Sequence, residues 1–385
     1  MIREVFDIAV IGGGIAGATA AASLAVDLKV VLLERESQPG YHATGRSAAL
    51  FMETYGNGPV RALTRASRGL LFDPPAGFSE APLTLPRGAL YVANHRQLDA
   101  LHAFAALPDV ARHTRRVDSR EACKLSPSLR ADHVAAALYE PDARDIDVHA
   151  LHQGYLRQLR VRGGRLVTAA AVSALRHDCD AWAISTGAGA FTANVVVDAA
   201  GAWADEVAGL AGLRPIGIQP LRRTAFMIDA PPGARVEKWP VTIDIDERFY
   251  FKPESGGLLL SPADETPSPP CDVQPDDLDI ALAVDRVERA TTLPITHVSR
   301  KWAGLRTFVP DRTPVIGYDA RTADFFWLAA LGGYGVQTSP AVGQLAASLI
   351  RRDPVPPSLV GCGLDVQTLS PTRLDRDRAN VQGCG

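Results

Sequence analysis

Hydrophobic and polar positions follow two rhythms along this chain, and the first begins near its N-terminus. Ile8-Ala9-Val10-Ile11 is a continuous apolar run ending at Gly12-Gly13-Gly14-Ile15-Ala16-Gly17, after which Ala18 to Val26 reads as a helix of small residues. A second apolar run, Lys29 to Leu33, stops at Glu34. Strand, glycine turn, helix and strand form a βαβ unit whose acid stands twenty residues past Gly14, the spacing at which a carboxylate reaches a ribose hydroxyl. Val195 to Asp198 repeats the buried-strand pattern and ends in the small-residue turn Ala199-Ala200-Gly201, with Val167 to Val172 as a candidate preceding strand.

The second rhythm has a period of two. Arg222 to Asp229, Val241 to Ile245, Phe249 to Lys252 and Leu258 to Ser261 predict an antiparallel meander turning at Asp246-Glu247 and Gly256-Gly257. The alternation puts Tyr250 and Lys252 on one face and Phe249 and Phe251 on the other. Between these regions, Asp147 is the expected N-cap of a helix from Val148 to about Arg162, with Val148, Leu151, Tyr155 and Leu159 on one side. Ser261 to Pro275 lacks periodicity and is a loop, either a lid or a plain surface excursion, and Pro275 opens a helix to about Ala290. Trp302 to Arg306 then precedes Pro314 to Gly317, the run Phe326 to Ala330, and a cluster of Gly332, Gly333 and Gly335 opening a last helix to about Arg351, its dipole starting near Thr338. The fold class is therefore α/β: a Rossmann-like lobe joined to an antiparallel-sheet lobe.

Composition narrows the partners. With 385 residues the chain is long enough for two lobes. Its 40 basic and 43 acidic side chains leave a formal net charge of −3, which excludes the basic footprint of a nucleic-acid binder. Arg112 to Arg116 reads as a solvated basic turn. The cysteines at 123, 179, 271, 362 and 384 form no CxxC pair, so neither a disulfide framework nor a zinc site is expected, and reducing cytoplasm fits. Ile8 to Val26 is uncharged, but its four glycines and seven alanines, preceded by Glu4 and Asp7, argue against a transmembrane segment. His149 and His152 stand one turn apart without further ligands and are read as surface or capping residues, with no metal.

The glycine turn carries the first chemistry. Gly12 permits a tight turn, Gly14 lets backbone approach a pyrophosphate and Gly17 lets helix and strand pack closely, with the helix N-terminus attracting phosphate. A glycine turn serving only packing is the plainer alternative, and FAD and NAD share the fingerprint. Gly40-Tyr41-His42-Ala43-Thr44-Gly45-Arg46-Ser47-Ala48-Ala49 follows with small residues, hydroxyls and one arginine suited to an extended cofactor.

With Glu34-Arg35-Glu36, Gly40 to Ala49, Asp145-Ile146-Asp147, Ala150 to Arg157, Ala199 to Trp203, Trp302 to Arg306 and Gly332 to Ser339, the chain resembles, end to end, the D-amino-acid oxidase (DAO) superfamily of flavoproteins, most closely its D-arginine dehydrogenase branch. The resemblance implies a bilobal enzyme with FAD-binding stretches at 1–85, 145–218 and 303–370, a substrate domain at 86–144 and 219–302, and a tail at 371–385. Its implied FAD contacts are Gly12, Gly14, Ile15, Ala16, Gly17, Glu34, Arg35, Thr44, Gly45, Arg46, Ser47, Ala48, Ala49, Val172, Ala200, Gly201, Trp203, Gly304, Arg306, Gly332, Gly333, Tyr334, Gly335, Val336, Gln337 and Thr338. Relatives that tether flavin use a cysteine near the C-terminal arginine motif. No cysteine lies near Arg306 in sequence, so FAD is expected to be non-covalent.

The implied activity is oxidative deamination of D-amino acids to 2-oxo acids and ammonia. The amine loses a proton without a strong protein base, hydride leaves Cα for flavin N5, and an unidentified electron acceptor reoxidises the flavin. Arg223 and Arg306 are the implied carboxylate holders because a guanidinium binds a carboxylate in bidentate fashion, with Tyr250 assisting and Tyr55 and Gln337 also lining the active site. Arg222 is expected on the opposite face of its strand. Leu50, Met52, Ala89 and Gly333 are the expected substrate-pocket residues. Leu50 stands where arginine-specific members carry His, and Ala89 where they carry the Glu that pairs with guanidinium, which predicts neutral or apolar substrates. Glu53 lies near this wall as a possible acid from another direction. A sarcosine- or glycine-type amine oxidase producing H2O2, a nicotinamide dehydrogenase and a non-catalytic flavin-holding subunit are the alternatives.

Overall fold

A computed structural model describes residues 5–178 and 180–374. Glu4, Cys179, Cys384 and the expected tail from 375 onward lie outside the described residues.

The first sheet is built around Val5–Ile11, which pairs in parallel with Val30–Leu33 on one side and Gly189–Asp198 on the other. Arg165–Val167 extends it in parallel beyond Val30–Leu33, and Phe325–Ala329 does so beside Gly189–Asp198. The apolar run is continuous because both faces are covered. Ile8 and Val10 pack against the helix layer, whereas Ala9 and Ile11 join Val196, Val207 and Trp327 on the other side. The helix Ile15–Leu24 is made of small residues because it is wedged beneath the long helix Gly335–Arg351. A Cβ on Gly343 would stand 2.3 Å from Thr19 Oγ1. Asp147 caps the helix Val148–Val161 as expected, accepting from the Ala150 amide at 2.8 Å.

The second sheet runs from Gln219–Ile228 through Gly257–Ser261 and Tyr250–Glu254 to Val241–Asp244, then Ala89–Ala93 and Ala136–Glu140. Its pairings are antiparallel except where Val241–Asp244 meets Ala89–Ala93 in parallel. Phe249 and Phe251 pack into the helix-covered core with Ile280, Ala283 and Val287, whereas Lys252 on the other face binds Asp145, so the predicted alternation holds.

Several local expectations need correction. Val167 to Val172 is not one strand: it is the link between Arg165–Val167 and Val172–Asp178, bent at Ala169 (φ 51°), whose amide is taken by the Glu36 carbonyl. The meander covers only the last three strands, because Gln219–Ile228 pairs with Gly257–Ser261 and with Arg300–Phe308 rather than with Val241–Asp244. Its second turn is Ser255-Gly256, both at positive φ, one residue before the expected place. Trp302 to Arg306 lies within the strand Arg300–Phe308, and Arg115 and Arg116 belong to the strand Arg115–Val117 rather than to a turn. Within the loop after Ser261, Thr266–Pro267 adds a short edge to Gln219–Ile228. The helix expected to be final starts at Gly335, one turn before Thr338, and is followed by a further short helix, Pro357–Gly361.

Candidate active site

A cavity of about 470 Å³ is lined by residues from both sheets. At its nucleotide end, Gly12 adopts φ +106°, and a Cβ there would stand 2.4 Å from the Ala199 carbonyl oxygen. Glu34 lines the wall with one carboxylate oxygen accepting from the Gly13 amide at 2.7 Å and the other from the Glu36 amide at 2.8 Å. Burial raises the Glu34 pKa and these amides partly offset that rise. Thr44 Oγ1 accepts from the Ile15 amide at 3.0 Å, tying the Gly40 to Ala49 segment to the helix that follows the glycine turn.

This end suits a dinucleotide. The helices Ile15–Leu24 and Gly335–Arg351 open onto the cavity with no side-chain N-cap, as does the shorter Ala204–Leu210 that follows Trp203. Uncapped helix N-termini hold anions and developing negative charge. Arg35 lies over the Trp203 ring at 4.6 Å and His42 stacks near it at 4.7 Å, so a polar and aromatic wall stands beside Glu34. Arg46 is fastened by Asp272, on the loop that follows Thr266–Pro267, at 2.5 Å and by the Ala303 carbonyl of the strand Arg300–Phe308 at 3.0 Å.

At the other end, Arg306, Arg223, Tyr250, Tyr55 and Gln337 all line the cavity. Arg306 Nη1 donates to the Tyr55 hydroxyl at 3.0 Å, and a Cβ on Gly333 would stand 2.7 Å from its guanidinium carbon. Burial acts to lower the Arg306 pKa, but Tyr55 and Tyr250 more than offset it, so the group stays charged. Among the described residues it has no carboxylate within ion-pair distance. Arg223 is already engaged: Nε donates to the Asp264 carbonyl at 2.8 Å and Nη2 meets Glu265 at 3.2 Å. Arg222 points elsewhere, toward Asp279 at 2.6 Å and Asp264 at 3.4 Å.

Leu50 and Met52 line the wall, but Ala89 does not. It shares a strand face with Tyr91 and is fully buried in the apolar cluster that also holds Met52, Tyr91 and Val241. Tyr91, Val241 and Ile243 form that part of the wall, with Glu247 also on it. Glu53 is neither a pocket acid nor a solvated one: it is 4% exposed and held by Arg68 and His113, each at 3.1 Å. Gln337 uses both amide ends structurally, accepting from the Met52 amide at 3.1 Å and donating to Thr64 at 3.0 Å.

Four expected FAD contacts stand behind the wall. Gly17 abuts the Gly12 carbonyl, where a Cβ would come to 1.9 Å, and Gly45 closes a turn onto the Gly40 carbonyl at 2.7 Å. Tyr334 packs on Tyr55 and Phe308, and Thr338 is buried in the helix with its hydroxyl on the Tyr334 carbonyl. The other expected FAD contacts, from Gly12 through Val172 and Ala200 to Gln337, line the cavity. His152 is not a surface residue. It is 4% exposed, and its Nε2 donates to the Gly13 carbonyl at 2.9 Å, bracing the glycine turn. Among the described residues no group of three or more His, Cys, Asp or Glu is placed to hold a metal.

Sequence reasoning missed Tyr91 and Glu247, and also Cys271, which reaches the wall although distant from Arg306 in sequence. The two-residue alternation of Ala89 to Ala93 would have flagged Tyr91 once that strand was placed in the second sheet.

The DAO family model, described as FAD dependent oxidoreductase, matches residues 7–349. A glycine oxidase of Geobacillus kaustophilus is 24% identical over 364 residues, covering 90% of this chain and 93% of that protein. Among solved structures, an L-proline dehydrogenase from P. horikoshii superposes with a TM-score of 0.84 at 22% identity, covering 98% and 99% of the two chains. The Geobacillus glycine oxidase does so with 0.81 at 22% identity, covering 96% and 99%. Among the described residues no helix is long and apolar enough to cross a membrane.

Proposed function

We propose, from the premise that the chain belongs to the DAO family of FAD-dependent oxidoreductases, that it catalyses oxidative deamination of D-amino acids with neutral or apolar side chains. The family activity, FAD-dependent oxidation of an amine or amino acid, is the frame; the D-configuration and side-chain preference are the proposal. FAD, when bound, supplies the two-electron acceptor.

The observation that carries the reading is Arg306. A guanidinium inside a cavity without a carboxylate partner among the described residues is costly unless a ligand anion completes it. An amino acid carboxylate does so in bidentate geometry. Arg223 and the Tyr250 hydroxyl are the second and third donors, with Arg223 weakened as a carboxylate holder by Glu265. Tyr55 holds the Arg306 fork in place from the side. Leu50, Met52, Val241 and Ile243 offer a side chain apolar contacts and no countercharge, while the nearby acid, Glu247, is solvent-exposed.

The test is anaerobic flavin bleaching by D- and L-amino acids, followed by steady-state rates on D-Leu, D-Met and D-Phe beside D-Arg and D-Lys. Faster bleaching by the three neutral D-substrates is expected. A clear advantage for the basic pair would overturn the side-chain preference and make Glu247 the acid to mutate. A glycine- or sarcosine-type amine oxidase is the second reading, favoured by the likeness to a glycine oxidase over most of both chains. Turnover of glycine or sarcosine with one peroxide per amine oxidised would select it.

A further inference from the structure

The reading above leaves open where the substrate ammonium sends its proton, and behind the cavity wall lies a buried carboxylate that the reading does not use. Glu140, 1% exposed, ends the strand Ala136–Glu140, which pairs with the strand carrying Tyr91. Tyr91 lines the cavity. Its hydroxyl is 2.8 Å from Thr54 Oγ1, and Thr54, fully buried, donates to Glu140 Oε2 at 2.5 Å. A threonine hydroxyl has one proton, so with that proton on Glu140 the Tyr91 hydroxyl must be the donor of the first contact. Each O–H therefore points from the cavity toward the carboxylate.

We propose that Tyr91, Thr54 and Glu140 form a proton relay that receives the proton lost by the substrate ammonium, with Glu140 as its terminal acceptor. This rests on the amino-acid reading above. The Tyr91 oxygen takes a proton from the ammonium nitrogen while its own proton passes to Thr54 and the Thr54 proton passes to Glu140. One N–H bond breaks, one O–H bond forms on Glu140, and no electrons leave either group. The amine nitrogen is left with the lone pair that C–N oxidation needs, and Glu140 becomes neutral. After product leaves, the chain run in reverse passes the Glu140 proton through Thr54 and Tyr91 to solvent entering the cavity, and Glu140 is ionised again.

The surroundings fit a base working near neutrality. Burial raises the Glu140 pKa, the Thr54 hydroxyl and the Glu53 amide lower it, and the Glu53 carboxylate raises it again, leaving it about 7. Glu53 is balanced on its far side by Arg68 and His113. Tyr91 faces the Phe104 ring at 5.0 Å, and burial, then the Glu140 charge, hold its hydroxyl pKa well above the ordinary value, with Glu247 and Tyr55 adding to the rise, so Tyr91 passes a proton on without resting as a phenolate. A purely structural alternative is that these bonds only hold the Glu53 to Tyr55 turn that sets Tyr55 against Arg306.

The deciding experiment follows anaerobic flavin reduction by a neutral D-amino acid across pH in the wild-type holoenzyme and in E140Q, T54V, Y91F and E53Q. In wild type, the rate at low substrate should rise along a limb near neutral pH. E140Q should lose that limb, fall by roughly a hundredfold near neutrality and follow the substrate's own ammonium ionisation at higher pH, with T54V and Y91F behaving alike. E53Q should move the limb to lower pH, because a like charge is removed. Independently of turnover, infrared titration of the ligand-free holoenzyme should show a protonated-carboxyl band that disappears near neutrality and is missing in E140Q. A limb unmoved in E140Q, a slowing equal at every pH, or the same band in both proteins overturns the relay. If wild type is bleached while E140Q keeps its limb, the relay alone fails; if no amino acid bleaches wild type, the substrate reading fails and takes the relay with it.

Discussion

Arg306 and Arg223 are equivalent as letters and different as charges. Arg223 shares its guanidinium with the Asp264 carbonyl and Glu265, whereas Arg306, among the described residues, donates to the Tyr55 hydroxyl and to no carboxylate, and is pressed against Gly333. Arg306→Met should therefore weaken an unreactive carboxylate ligand, titrated by the flavin absorbance, by roughly 2–5 kcal/mol. Arg223→Met should cost on the order of 1 kcal/mol, and equal losses would show that Glu265 does not share the charge. Glu140 adds a stability signature. Its carboxyl titrates near 7 when folded, against an ordinary value of 4.5. Below the ordinary value both states are protonated; between the two values the folded state holds the extra proton, so stability falls as pH rises through this window and stays low above it. E140Q removes that penalty, so its melting temperature relative to wild type should improve between about pH 5 and pH 8, by up to roughly 3 kcal/mol of stability. At this scale the sequence is a good guide to which residue types matter and a poor one to which way they face. Ala89 and Tyr91 share one strand face, yet the ring of Tyr91 lines the cavity and the methyl of Ala89 does not, a difference of reach and place along the strand that the alternation alone does not fix.

Elements were legible where local chemistry dictates them. The strand, glycine turn and helix from Val5 to Leu24 follow from apolar runs and from glycines that cannot be replaced without collision. Gly17→Ala would drive a methyl into the Gly12 carbonyl, so the variant should purify with little flavin or fail to fold, read as the ratio of flavin to protein absorbance. Gly209→Ala, with open space around its Cβ position, is the control and should keep full flavin. Legibility ended where tertiary bonds override local pattern. Val167 to Val172 has the composition of a strand, yet the Glu36 carbonyl draws the Ala169 amide, and the Glu34 carbonyl the Ala170 amide, out of line beside the cofactor wall. The basic stretch at Arg115 pairs with Tyr139 in the sheet, and its charge gives no sign of that partner.

On the scale of the whole molecule, the cavity exists because the second sheet closes over the Gly40 to Ala49 segment of the first lobe, an arrangement no single stretch of sequence reveals. The clasp is specific: Asp272 grips Arg46 at 2.5 Å and accepts from Tyr41 at 3.2 Å, while Trp302 donates to the Arg46 carbonyl at 3.0 Å. Arg46 in turn holds the Asp272 pKa below the usual carboxylate value. A depressed carboxylate contributes to the closed arrangement above its unfolded pKa and loses that contribution as pH falls through the folded value, so the clasp should open only in acid. The pair is largely exposed on the Asp272 side, so salt screens it. Asp272→Asn should therefore release FAD several-fold faster in an exchange assay at low ionic strength, leave melting temperature nearly unchanged, and converge with wild type at high salt. Because Cys271 stands beside this clasp on the cavity wall, the same preparation tests flavin attachment: acid precipitation should free all of the FAD from wild type and from Cys271→Ser alike. Flavin retained in the wild-type pellet alone would locate a covalent bond at the clasp, and its exchange rate would then no longer report on Asp272.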